Sequence, residues 1–311
     1  MSADGSRTAI IAALIANAGI AVAKFAGAMI TGSGSMLAES VHSLADTGNE
    51  ALLLVGQNRA EQEPTKLHQF GHGRNRYFYS FVVALVLFTL GSMYGIYEGI
   101  HKVTHPEDLT SPIVAIVILV VAMVLEGFSF ATAVRESIPL RGSRTWWQFI
   151  RTTRNPELPV VLLEDTGALI GLVIALAAIA LTMITDNAIW DGIGTLGIGL
   201  LLGAIAIVLI IEMKSLLIGE GATGETYRHI VDNLVDGTRI DRVIHVRTEY
   251  LGPSELMVAA KVAIVPGLEI DEIAEAIDAA EARVRAAVPS VDLMYLEPDL
   301  YRTQPDTSTA G

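Results

Sequence analysis

Residues 36–57 read MLAESVHSLADTGNEALLLVGQ. The stretch is as long as a bilayer is thick, because about 20 helical residues at ~1.5 Å rise cover ~30 Å of hydrocarbon. It nevertheless carries Glu39, His42, Asp46, Asn49 and Glu50. Ionisable groups are costly at that depth, so a spanning helix turns them toward a bundle interior, where they mark a pathway. His42 and Asp46 are four residues apart and Asn49 follows three later, so the three stack on one helical face. An imidazole beside a carboxylate is half of a tetrahedral site for a borderline cation such as zinc. The same spacing also serves a polar seam that hydrogen-bonds helix to helix, and the segment alone leaves both readings open.

The composition around this stretch bounds the rest. Of 311 residues, 51% are hydrophobic, and the mean hydropathy is +0.48. That is too apolar for an ordinary soluble domain and fits a membrane core with one smaller polar domain. Cysteine is absent, which excludes disulfides, thiolate metal sites and thiol catalysis. Any metal must be held by histidine, carboxylate or amide oxygen. The net charge of −13 sits mostly in the last hundred residues, and its sign disfavours a nucleic-acid partner. The polar start MSADGSR precedes an apolar run too long for a signal peptide, so that run reads as a retained span.

Six spans are expected, at about 8–30, 36–57, 77–103, 113–135, 159–184 and 188–217. The first carries Asn17 and Lys24; the lysine either snorkels or pairs with an acid on a neighbouring helix. The polar loop after the second span holds His68 and His72, a metal pair or simply loop histidines, since Gly71 and Gly73 argue against a regular helix there. His101 and His105, beside Tyr94 and Tyr97, read as interfacial. Glu126 lies alone in the fourth span, either as a structural carboxyl or for ion and proton handling. The connector 137–157, with Trp146, Trp147, Arg141, Arg144, Arg151 and Arg154, suits a membrane surface. In the fifth span Glu164 and Asp165 are adjacent and point about 100° apart, so one helical face does not present both fully, and two neighbouring helices could receive them. Glycines 192, 194, 197, 199 and 203 give the sixth span a close-packing face. Basic residues cluster after spans two and four (Arg59, Lys66, Arg74 and Arg76, then the connector arginines), which places both termini in the cytoplasm.

Residues 1–217 thus read as a membrane domain and 218–300 as a small α+β domain with the order helix 223–235, strands 241–249 and 255–264, helix 271–288, strand 291–297. Residues 301–311 read as a disordered tail.

The arrangement resembles the cation diffusion facilitators, carriers of divalent metal, over nearly the whole chain. The likeness is carried by the HxxxD of His42 and Asp46, the loop His68-Gln-Phe-Gly-His72-Gly-Arg, the aspartate of span five followed by Gly171, and the α+β tail. It is similar in particular to the branch of the mitochondrial zinc transporter nine, through ESVHSLADTGNE, VLLEDTGALIG and DGIGTLGIG. The resemblance implies a six-transmembrane-helix bundle with a metallochaperone-like cytosolic domain, a homodimer, and metal–proton antiport through a site shared by spans two and five. Carried over by position, His42, Asp46 and Asp165 match three of four ligands; the fourth position is Val161, so Glu164, Asn49, Glu126 or a water completes the shell. His68 and His72 match a loop metal site, with Thr65 where an acid is often found. In the tail His245 matches a ligand, but Lys261 and Tyr295 stand at other ligand positions.

The expected function is export of a divalent cation, Zn2+ foremost, against protons, with no prosthetic group. The rivals are a carrier of manganese, iron, cobalt or nickel, and a non-transporting membrane scaffold with an acidic docking domain. An enzyme is not expected: no Ser/His/Asp or Cys/His constellation is apparent, and the HxxxD lies inside a span; the absence of GxxxxGK[ST] disfavours an ATP-driven pump. The expected partners are the metal ion, protons, the lipid bilayer and a second copy. The short loops and the absence of a transit peptide point to a bacterial-type inner membrane.

Overall fold

The computed structural model of the chain describes residues 2–31, 34–106 and 112–301. Ten α-helices and three strands are defined among them: α1 Ser2–Thr31, α2 Gly34–Ala60, α3 Asn75–Val86, α4 Tyr94–Thr104, α5 Pro112–Arg141, α6 Trp146–Thr152, α7 Glu157–Thr185, α8 Ile189–Ile218, α9 Gly224–Leu234, β1 Ile240–Gly252, β2 Glu255–Ile264, α10 Ile270–Ala287 and β3 Val291–Asp299. They form two compact units, one of 1–63 with 74–217, the other of 64–73 with 218–311.

Among the described residues, five segments are long and apolar enough to cross a membrane: Arg7–Ala26, Asn75–Thr104, Pro112–Arg141, Glu157–Thr185 and Ile189–Ile218. The expected count was six. The missing one is α2, which has the length, at 27 residues, but whose acids and amides dilute its hydropathy. The chain is a multi-pass helical membrane protein.

Lipid is as apolar as leucine, so helices in a membrane associate through close packing and polar contacts rather than water exclusion. Both devices are present. α1 packs on α2 and α5, and α5 on α7. Gly95 and Gly199 bring α4 and α8 together backbone to backbone, and a Cβ on Gly99 would collide with the backbone of Leu196. The third span is not one continuous α-helix: a π-helical segment, Leu87–Met93, separates α3 from α4. There the Thr89 hydroxyl donates back to the carbonyls of Leu85 and Val86, competing with the regular backbone pattern.

Arg76 departs from its sequence reading as a loop cation. It lies inside α3 and is buried, donating through Nε and Nη2 to the two carboxylate oxygens of Glu157 at the start of α7, at 2.5 and 2.7 Å. The connector 137–157 contains the short helix α6, opened by a reciprocal cap between Thr145 and Gln148. The Arg141 guanidinium lies 4.7 Å from the Trp146 ring centre.

In the second unit the sheet order is β1-β2-β3, with β1/β2 antiparallel and β2/β3 parallel. A parallel neighbour needs a crossover, which α10 supplies. The core is apolar: Ile230, Leu234, Ile240, Leu256, Val258, Val262 and Val284 are fully buried. The loop 64–73 belongs to this unit and closes on the β1–β2 turn, where any side chain at Gly73 would strike the Leu251 carbonyl.

The entry to β1 is held by Asp236. Its carboxylate accepts from the backbone N–H groups of Thr238, Arg239 and Ile240 at 2.9, 2.8 and 3.0 Å, and from the Thr238 hydroxyl at 3.1 Å. Partial burial alone would favour the protonated acid, but these donors outweigh it and hold the carboxyl well below the usual carboxylate range. Its folded value is depressed, so its stabilisation is present above the unfolded value of ~3.9 and is lost as pH falls through the folded one. Asp236→Ala is expected to speed amide exchange of residues 238–240 at neutral pH by about 5- to 30-fold, the equivalent of ~1–2 kcal/mol for a lost cap. Unchanged exchange in the full-length protein would contradict this.

Candidate cation site

The polar residues of the membrane unit come from four helices. α1 contributes Asn17 and Lys24, α2 Asp46, Asn49 and Glu50, α5 Glu126 and Ser129, and α7 Glu164 and Asp165. All except Asp46 are buried. Asp46 is half-buried.

Glu164 and Asp165 divide as their angular offset requires. Glu164 turns to α2, where Asn49 Nδ2 donates to its Oε1 at 3.1 Å. Asp165 turns to α5, where the Ser129 hydroxyl donates to its Oδ2 at 2.8 Å. Asp46 stands in the field of all the others, acting electrostatically on Glu50, Glu126, Glu164 and Asp165. Lys24 is buried rather than snorkelling, and its charge acts on Glu126. A set of carboxylates gathered in an apolar bundle repel one another and are poorly solvated, which is the setting in which a divalent cation binds.

The backbone of His42 lies in α2, one turn before Asp46, but its side chain is outside the described residues, as is that of Glu39. Among the described residues no group of three histidine or acidic side chains is arranged to hold a metal ion. The bundle therefore brings together Asp46, Asn49, Glu164 and Asp165 by electrostatic range and hydrogen bonds, with no closed shell among them.

The loop histidines lie in the other unit. His68 is exposed and His72 half-buried, with ring centres 4.6 Å apart and planes tilted by 46°. Thr65 is engaged in shaping the turn: its hydroxyl accepts from the His68 N–H at 3.0 Å. At the membrane-edge pair, His101 stacks on Tyr97 and His105, and all three are exposed. In the α+β unit His245 is exposed and lies opposite Lys261 in the β1/β2 register. The Lys261 ammonium sits 2.9 Å from Glu297 and 2.8 Å from Asp299. A fixed cation thus bridges the acids of that edge.

Two participants lie outside the expected ligand set. Glu50 is 1% exposed and accepts from Asn17 Nδ2 at 2.9 Å. Its signal was the i, i+4, i+8 series His42, Asp46, Glu50, with Asn17 one of the few polar residues of the first span. Ser129 lies one turn beyond Glu126 on α5, a spacing too common to single out.

The family model for the cation efflux transmembrane domain matches residues 10–218. The mitochondrial proton-coupled zinc antiporter SLC30A9 of Mus musculus is 33% identical over 242 residues, 77% of this chain and 42% of that relative. Metal tolerance protein C4 of Arabidopsis thaliana is 29% identical over 259 residues, 83% of this chain and 57% of the relative. Zinc transporter ZitB of Pectobacterium atrosepticum is 29% identical over 120 residues, 39% of this chain and 36% of the relative. The chain spans less than half the length of the SLC30A9 relatives it matches.

Proposed function

The chain belongs to the cation efflux family, and on that footing we propose that it is a proton-coupled antiporter exporting a divalent cation, zinc foremost, from the cytoplasm. It is a transporter by family rather than an enzyme. The observation that carries the reading is the convergence of α2 and α7 carboxylates in an apolar bundle: Asp46 acts on both Glu164 and Asp165, and Asn49 hydrogen-bonds Glu164 across the two helices. In this reading α2 is a sixth crossing, with Glu50 meeting Asn17 of α1 and Asn49 meeting Glu164 of α7. Both termini are cytoplasmic, by the basic residues between spans, and the α+β unit supports a homodimer.

His42, Asp46 and Asp165 are the proposed ligands, with Glu164 in place of the residue that Val161 does not supply. Asn49 orients Glu164, and Ser129 orients Asp165, each fixing one carboxylate oxygen and leaving the other for the cation. Binding requires neutral His42 and ionised carboxylates. A +2 charge offsets the mutual repulsion of the acids. When the site faces outward, protons compete for the imidazole and the carboxylates, which couples metal exit to proton entry without covalent chemistry. His68 and His72 are a proposed accessory pair in the loop.

Glu164→Gln keeps an acceptor for Asn49 but removes a charge. It is expected to weaken zinc binding by about 10- to 100-fold, as for other ligand-supporting groups; unchanged affinity would reduce Glu164 to packing. A second reading, export of manganese, iron, cobalt or nickel, is favoured by the loss of a nitrogen or acid at Val161 and the oxygen-rich surroundings. A metal panel in vesicles decides between them: zinc-stimulated proton flux exceeding that of the other ions supports the first.

A further inference from the structure

Glu50 has no part in the ligand set above, yet it is among the most deeply buried acids of the chain. Its Oε1 accepts from Asn17. Its Oε2 accepts no hydrogen bond from the described residues. The same holds for two further buried oxygens beside it, Asn49 Oδ1 and Glu164 Oε2. Asn49 has committed its N–H to Glu164, which leaves its carbonyl oxygen as an acceptor. The charge that acts most strongly on Glu50 is that of Glu164. Three buried acceptor oxygens on two helices, two of them from mutually repelling acids, find no donor among the described residues, in a place where each such group costs free energy.

We propose that Glu50, Asn49 and Glu164 form a second station for a divalent cation, built only of oxygen donors and lying one helical turn along α2 from Asp46. It rests on the transport reading above and extends it. A cation satisfies all three oxygens at once and relieves the repulsion between Glu50 and Glu164. Asn17 holds Glu50 in place as a positioning residue. With no nitrogen donor, the station suits hard ions and holds zinc less tightly than a site with an imidazole. It lies toward the C-terminal end of α2 and the N-terminal end of α7, on the side of the transport site nearer residues 58–63 and 153–156. An ion entering from that side reaches Glu50 and Glu164 first, then passes to Asp46 and Asp165, with Glu164 common to both.

The test counts ions on the full-length protein in detergent, with Mn2+ read by electron paramagnetic resonance and zinc by equilibrium dialysis. Gln at position 50 keeps an oxygen for Asn17, so Glu50→Gln preserves that contact. The wild type is expected to hold one more Mn2+ per chain than Glu50→Gln at the same free Mn2+, while both retain one tightly bound zinc. Asp46→Asn is expected to lose the tight zinc and keep the Glu50-dependent Mn2+. Equal Mn2+ counts and affinities in wild type and Glu50→Gln would overturn the station, as would loss of both ions together in Asp46→Asn. If Glu50→Gln does not fold, Glu50→Asp serves, with Mn2+ affinity expected to fall roughly tenfold; unchanged affinity overturns the proposal. Normal vesicle transport by Asp46→Asn would instead defeat the transport reading, whatever the ion count at Glu50.

Discussion

Asp165→Asn is expected to reduce zinc-driven proton flux in proteoliposomes by about 100-fold or more, while assembly and thermal stability stay near those of the wild type. The new amide oxygen still accepts from the Ser129 hydroxyl, so the hydrogen bond at 2.8 Å survives and with it the seat of α7 against α5. What is lost is a negative charge aimed at a cation in a poorly solvated interior. Removing one partner of a buried charge pair costs ~2–5 kcal/mol, and ~2.7 kcal/mol is already a factor of 100 in affinity. Asp46→Asn is expected to behave the same way, because Asp46 acts on Glu50, Glu126, Glu164 and Asp165 alike. Flux within about threefold of the wild type in either variant would remove that carboxylate from the site.

The second large effect is on stability. Arg76→Ala takes from Glu157, 1% exposed at the start of α7, the guanidinium that donates to both of its carboxylate oxygens. The expected loss is ~3–5 kcal/mol. The double variant Arg76→Met, Glu157→Leu is expected to recover most of it, because well-packed apolar residues often replace a buried ion pair at little cost. Unfolding of the purified full-length protein in mixed micelles measures both. Equal destabilisation by the single and double variants would show that the side chains act through packing rather than charge.

Much of the fold could be read before any coordinates. Long apolar runs announce spanning helices because the bilayer sets their length, and the switch from helical to alternating periodicity after about residue 219 announces α9, β1, β2, α10 and β3. Hydropathy misses α2 for the reason that makes it interesting: among the polar side chains that dilute it are Asp46, Asn49 and Glu50, which the bundle gathers with residues of α1 and α7. Adjacency of Glu164 and Asp165 allowed for two recipients, since a helix turns about 100° per residue. It could not say which helices, because nothing local encodes that Asn49 of α2 reaches Glu164 or that α5 packs on α7. Arg76 and Glu157 are 81 positions apart in sequence, and each looks like an ordinary cytoplasmic-loop charge until the bundle closes around them. The π-helical segment at Leu87–Met93 was equally hidden, since Thr89 and Gly91 are tolerated in any membrane helix.

The central claim, that helices α2 and α7 jointly bind one transported cation, is tested most directly by anomalous scattering from zinc-soaked crystals of the full-length protein. The account predicts a zinc peak in the membrane unit within coordination distance, ~2.0–2.2 Å, of carboxylate oxygens of both Asp46 and Asp165 and of the His42 ring. Zinc bound only elsewhere, with the Asp46 and Asp165 side chains turned from each other and no ion between them, would contradict it.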